Sequence, residues 1–259
     1  MSEFQIHFEQ AGEGTPLLLI HGFPFDHRTW DGQLKALSSR ARVITPDLAG
    51  FGESPAGEPP YSVQRYAEDC VAVLDGLDIN EPVVVGGLSM GGYIALAFVR
   101  HFPERVAGLL LASTRAGADS QEGRANRDKA IADVKANGVA QFVEGMHPKL
   151  LAPSSYETKP EVAARLKGIM LNASEAGVVG ALQAMRDRPD ATEELAQIEV
   201  PALVVHGEED GVIPISEAEA MAAALPYADL VRIADAGHLP NMEQPMAFNE
   251  AVEAFLGRI

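Results

Sequence analysis

Ser89 stands in Gly86-Gly87-Leu88-Ser89-Met90-Gly91-Gly92, between the valine run Val83 to Val85 and an apolar helical segment, Ile94 to Val99. Strand, tight turn and helix with a serine at the turn form a nucleophile elbow, which presents the hydroxyl at the end of a sheet. A serine hydroxyl is a weak nucleophile near neutral pH. It needs a base, a group that orients the base, and donors for a developing oxyanion. His238, in Ala236-Gly237-His238-Leu239-Pro240, is the candidate base, because imidazole titrates near neutrality. Alone it would read as a loop histidine with local hydrogen bonds; its place after a strand and C-terminal to Ser89 favours the base. Asp210, in Gly207-Glu208-Glu209-Asp210-Gly211, is the candidate orienter, with Glu208 and Glu209 as competitors. The other position for an acid, after the strand Leu109 to Ala112, holds Ser113, Thr114 and Arg115, which favours Asp210. Two backbone N–H groups are the expected oxyanion donors. One belongs to Met90, next to the serine, and the other to Phe23, after His21-Gly22, since Pro24 has no N–H.

These residues need a frame that brings strand ends together. Phe4 to Phe8 alternates like an edge strand. Leu17 to Ile20, Arg42 to Thr45, Val83 to Gly87, Leu109 to Ala112, Ala202 to Val205 and Leu230 to Ile233 read as further strands. Helices are expected at Trp30 to Leu37, at Ser62 to Leu77 with Ser62 as N-cap, and at Met246 to Ile259. This alternation predicts a mostly parallel, doubly wound α/β sheet. From Ala116 to Ala196 only helical periods appear, so the expected organisation is a core of 1–115 and 197–259 with a helical lid over 116–196.

The chain has 259 residues, 47% of them hydrophobic, with a net charge of −17, which fits one globular unit with an insertion. The charge disfavours nucleic acid and anionic membranes as partners. The start Met1-Ser2-Glu3-Phe4 lacks the basic and apolar blocks of a signal peptide, which predicts a cytoplasmic protein. The single cysteine, Cys70, reads as a small buried apolar residue. His7, His21, His27, His101, His147, His206 and His238 show no paired ligand spacing. Gly50-Phe51-Gly52 lacks the third glycine of a dinucleotide fingerprint. No metal and no cofactor are therefore expected.

Five ordered motifs resemble the α/β-hydrolase superfamily over nearly the whole chain: His21-Gly22-Phe23-Pro24, Asp47 with Gly50-Phe51-Gly52-Glu53-Ser54, Gly87-Leu88-Ser89-Met90-Gly91-Gly92, Gly207-Glu208-Glu209-Asp210 and Gly237-His238. The resemblance implies the α/β-hydrolase fold, the triad Ser89–Asp210–His238 and the lid. Within the superfamily the chain looks most like the carboxylesterase and 3-oxoadipate enol-lactonase group. A serine at 89 departs from the aspartate of haloalkane dehalogenases and epoxide hydrolases, and Met90 from the tryptophan usual in prolyl aminopeptidases. Phe23 replaces the tryptophan usual in cofactor-free perhydrolases. The expected activity is hydrolysis of a small ester or lactone through an acyl-enzyme. The alternatives are hydrolysis of a carbon–carbon bond in a ring-cleavage product, or a ligand receptor that keeps the fold. Trp30, Arg115, Phe142 and Met146 are candidate substrate contacts, Arg115 for a substrate carboxylate. Their competing roles are core packing for Trp30, packing among lid helices for Phe142 and Met146, and an ordinary ion pair for Arg115. A homo-oligomer is compatible with the sequence.

Overall fold

The computed structural model describes residues 6–259. Seven strands form one sheet: β1 Phe8–Ala11, β2 Pro16–Ile20, β3 Arg42–Pro46, β4 Val83–Leu88, β5 Val106–Ala112, β6 Ala202–Gly207 and β7 Ala228–Ile233. Their spatial order is β1-β3-β2-β4-β5-β6-β7, with β1 antiparallel to β3 and every other pair parallel. The edge strand sits further along the chain than the alternation from Phe4 to Phe8 predicts. Phe4 and Gln5 lie outside the described residues; the register with β3 runs from Phe8 opposite Pro46 to Ala11 opposite Val43, and the His7 carbonyl accepts the Asp47 N–H at 2.8 Å just beyond it.

Central strands are buried on both faces, as parallel strands covered by helices must be. Successive side chains point to opposite faces. Leu18, Ile20, Val83, Val85, Leu109, Leu111 and Val204 therefore join one core, with α2 (Val63–Gly76), α3 (Met90–His101) and α8 (Ile215–Ala224). Leu17, Leu19, Val84, Leu110, Leu203 and Val205 join the other, under α1 (Asp31–Leu37) and α10 (Pro245–Leu256). Ser62 caps α2 as its sequence predicts, its hydroxyl accepting from the Arg65 N–H at 3.0 Å.

The order reverses at β2: α1 leads outward to β3 on one face, and α2 returns on the other to β4. In open α/β sheets such a reversal opens a crevice at the carboxyl ends of the strands. His21-Gly22-Phe23 follows β2, Ser89 follows β4, Asp210 follows β6 and His238 follows β7, all at that edge.

Residues between β5 and β6 form α4 (Gln121–Met146), α5 (Pro153–Thr158), α6 (Pro160–Leu171) and α7 (Glu175–Asp187), with no strand. The helix α4 is broken at Gly138, whose φ of +81° and ψ of 168° no helix contains. Asp119, with a 1% exposed side chain, binds Arg115 before α4, Arg127 within it and Arg188 after α7. Among the described residues no helix is long and apolar enough to cross a membrane.

Candidate active site

Ser89 has φ +54° and ψ −112°, a conformation that few non-glycine residues adopt. Backbone hydrogen bonds hold it there. Its N–H donates to Ala112 O at 2.8 Å, and its carbonyl accepts from Thr114 Oγ1 at 2.7 Å and from the Gly92 N–H at 2.9 Å. The turn is tight enough that a Cβ on Gly91 would lie 2.2 Å from Ile20 O. The strained residue thus ends half-exposed above β4, at the N-terminus of α3.

His238 and Asp210 meet: Nδ1 lies 2.8 Å from Asp210 Oδ2, with both side chains 1% exposed or less. A carboxylate only accepts, so Nδ1 carries the proton and Nε2 keeps its lone pair. Asp210 Oδ1 accepts the N–H groups of Val212 (2.8 Å) and Ile213 (3.0 Å). A second imidazole, His206, places Nε2 3.2 Å from Oδ2 and 2.9 Å from Ile213 O. Both of those neighbours are acceptors, so His206 Nε2 is protonated. Burial alone would raise the Asp210 pKa, but the electrostatic pull of His238, the hydrogen bonds from both imidazoles and the backbone N–H groups hold it far below the usual carboxylate range. Glu208 and Glu209 are exposed, and the carboxylate that pairs with His238 is that of Asp210. Ser89 Oγ makes no hydrogen bond to His238 among the described residues; such contacts are often long before substrate binds.

The loop after β2 is fixed by a neutral histidine. His21 Nδ1 donates to Gly22 O at 2.8 Å, and Nε2 accepts from the Leu48 N–H at 3.0 Å. Burial lowers the His21 pKa and keeps that arrangement uncharged. Among the described residues neither the Phe23 N–H nor the Met90 N–H donates to a protein acceptor. Met90 is the first residue of α3, where unpaired N–H groups and the helix dipole favour negative charge.

The four expected substrate contacts separate. Trp30 is fully buried, with its ring 5.9 Å from Phe248 beneath α10. The 3₁₀ turn His27–Trp30 directs it inward, and it packs in the core with Phe25, Leu37 and Phe248. Arg115 is engaged by Asp119 at 2.6 Å, the ion pair that competes with a carboxylate-anchoring role. Phe142 and Met146 line an open groove of about 730 Å³ along the bend of α4. Val212, whose N–H binds Asp210, closes one side of it. Phe142 also meets Phe23 edge-on, with ring centroids 5.8 Å apart.

Potential metal ligands come together in two groups, His7–Glu9–His27 and Asp26–His27–Asp47, within 4.8 Å. In the second group both carboxylates already have partners. Asp26 binds Arg28, and Asp47 accepts from the His27 N–H (2.7 Å), His27 Nδ1 (2.9 Å) and the Glu53 N–H (2.9 Å). Burial opposes a charge on His27, but Asp47 outweighs it and raises the histidine pKa. Asp47 therefore ties the Phe23 loop to the glycine loop after β3. Its strand-end position and its place in the Asp47 to Ser54 motif marked it in the sequence without stating that role, and His206 and Glu243 carried no signal that separates them from neighbouring polar residues.

A mostly parallel sheet with a serine elbow after β4, an acid after β6 and a histidine after β7 is the architecture of an α/β hydrolase. A family model described as the alpha/beta hydrolase fold matches residues 15–245. The chain belongs to that family. It is 31% identical to the AB hydrolase superfamily protein YisY of Bacillus subtilis strain 168, over 95% of this chain and 93% of that protein. It is 29% identical to 3-oxoadipate enol-lactonase 2 of Acinetobacter baylyi, covering 88% and 84%. The structure of a thermophilic esterase from Thermogutta terrifontis, bound to malate, superimposes with a TM-score of 0.95 at 40% identity, covering 98% and 93%.

Proposed function

We propose that this chain is a serine hydrolase that cleaves a small carboxylic ester or lactone, with Ser89 as nucleophile, His238 as base and Asp210 as orienter. The observation that carries the reading is the 2.8 Å contact of His238 Nδ1 with an Asp210 carboxylate held ionised by its surroundings. It leaves Nε2 as a base at the strand edge where Ser89 stands. His238 takes the Ser89 proton as Oγ attacks the carbonyl carbon. The Phe23 and Met90 N–H groups stabilise the oxyanion. His238 then protonates the leaving alkoxide. Water, activated by the same imidazole, hydrolyses the acyl-enzyme.

Residues 116–196 act in this reading as a cap over a core of 1–115 and 197–259. The groove lined by Phe142, Met146 and Val212 takes the apolar part of the substrate. Similarity to an esterase and to an enol-lactonase supports both substrate types. A fluorophosphonate probe should label the wild-type chain at Ser89. Ser89→Ala should lose labelling and lower kcat on nitrophenyl esters by on the order of 10⁴–10⁶. Wild-type-like turnover by that variant would refute the assignment.

A further inference from the structure

Glu243 ends the short helix α9 (Pro240–Glu243) five residues after His238, and it is 1% exposed. Oε1 accepts the Gly237 N–H at 2.8 Å and the Leu239 N–H at 3.4 Å, the residues on either side of His238. Oε2 accepts the Ala152 N–H at 2.8 Å and the Ser155 hydroxyl at 2.7 Å. The His238 N–H itself donates to Leu150 O at 2.8 Å. Contact between the two segments is close: a Cβ on Gly237 would lie 2.4 Å from Ala152 N.

We propose that Glu243 is a positioning residue whose carboxylate clamps the His238 loop to the 150–155 segment and so holds the imidazole in register with Asp210 and Ser89. The donor set explains the residue type. Four donors converge on two oxygens, and a carboxylate satisfies all of them. A glutamine offers one oxygen and turns an NH₂ group toward donors at the other end, leaving a buried donor unpaired. The Lys159 ammonium, bound to the Glu243 carbonyl, is the cation beside this site. The 150–155 segment precedes and opens α5, so the clamp links the base to the helical insertion.

The catalytic consequence rests on the proposed hydrolase reading, so the test includes a readout that needs no substrate. Glu243→Gln and Ser155→Ala are compared with wild type by circular dichroism, nitrophenyl ester kinetics and the downfield His238 Nδ1 proton in NMR spectra. Glu243→Gln is expected to stay folded, to lower kcat by about 10²-fold, as a small misplacement of a reacting group does, and to leave KM within about twofold. Its His238 proton should shift or broaden. Ser155→Ala should show the same changes at about a tenth of that size. A folded Glu243→Gln with wild-type kcat and an unmoved proton overturns the proposal. If Glu243→Gln does not fold, wild-type kcat and an unmoved proton in Ser155→Ala overturn it. Absence of ester turnover by the wild type counts against the hydrolase reading alone; the proton resonance still decides the role of Glu243.

Discussion

Asp210 is surrounded by donors: two backbone N–H groups on one oxygen and two imidazoles on the other. An asparagine would retain one acceptor and present an NH₂ group to the rest. Asp210→Asn should therefore select the wrong His238 tautomer and lower kcat by about 10⁴, with the fold kept, as steady-state kinetics and circular dichroism would report. The depressed pKa also has a sign. A carboxylate whose folded pKa lies below its unfolded value stabilises the fold fully above the ordinary carboxylate range, and that contribution is lost as pH falls through the range toward the folded value. Asp210 should stay ionised from about pH 5 to pH 8, so any acid-side loss of activity in that window comes from another group. A ¹³C titration that shows the Asp210 carboxyl shifting in that window would contradict this.

At the scale of elements, the elbow works because β4 and α3 meet β2 almost without clearance. Gly91→Ala would drive a Cβ to 2.2 Å from Ile20 O, backbone that cannot rotate away. The expected cost is about 3 kcal/mol or more, read from urea unfolding, with loss of ester turnover in whatever remains folded. The helices between β5 and β6 pack on the sheet through apolar residues such as Val134, Val178 and Leu182, and charge ties the two ends of that stretch together. Asp119 serves three arginines that belong to the β5–α4 loop, to α4 and to the segment after α7. Removing the acid would leave three guanidinium groups without their shared partner. Asp119→Ala should cost about 3–5 kcal/mol, measured by the same unfolding curves. Burial raises the Asp119 pKa, but its arginine partners outweigh burial and the net shift is downward. Its stabilisation is therefore complete above the ordinary carboxylate range and fades as pH drops below it.

The whole molecule carries a net charge of −17. Such a field repels anions over distances set by salt. Given two esters that differ only in a distal carboxylate, the anionic one should show the lower kcat/KM at low ionic strength. The gap should narrow as salt rises from about 0.01 to 0.15 M, where the Debye length shortens from about 30 to 8 Å. A gap that ignores salt would mean that a local cation receives the carboxylate, and Arg115, already bound to Asp119, would then need reassessment. The same negative field disfavours nucleic acid as a partner.

Much of the frame was legible in the chain. Six of the seven strands, the helices α1, α2, α3 and α10 and the helical stretch after β5 follow from periodicity, which neighbouring residues encode by themselves, whereas α8 between β6 and β7 was not anticipated. Ser89 was legible because glycines on both sides of a serine, between valines and a helix, have few other uses. The edge strand was displaced because its limits depend on its register with β3, which its own alternation does not state. Among three acids in a row, Glu208, Glu209 and Asp210, the motif favoured Asp210, and the path of the chain turns that one to a histidine 28 residues on. The same holds for Trp30, an aromatic after the Phe23 loop that the fold turns toward Phe248, and for Glu243, whose partners at Ala152 and Ser155 lie 91 and 88 positions away. The sequence by itself determined the elements, their order and the serine at the turn, because those depend on short-range sterics and on which faces must be apolar. Tertiary structure alone decided that Trp30 packs in the core while Phe142 lines the groove, and that the Glu243 carboxylate meets Ala152 and Ser155, because those contacts exist only after distant segments have been brought side by side.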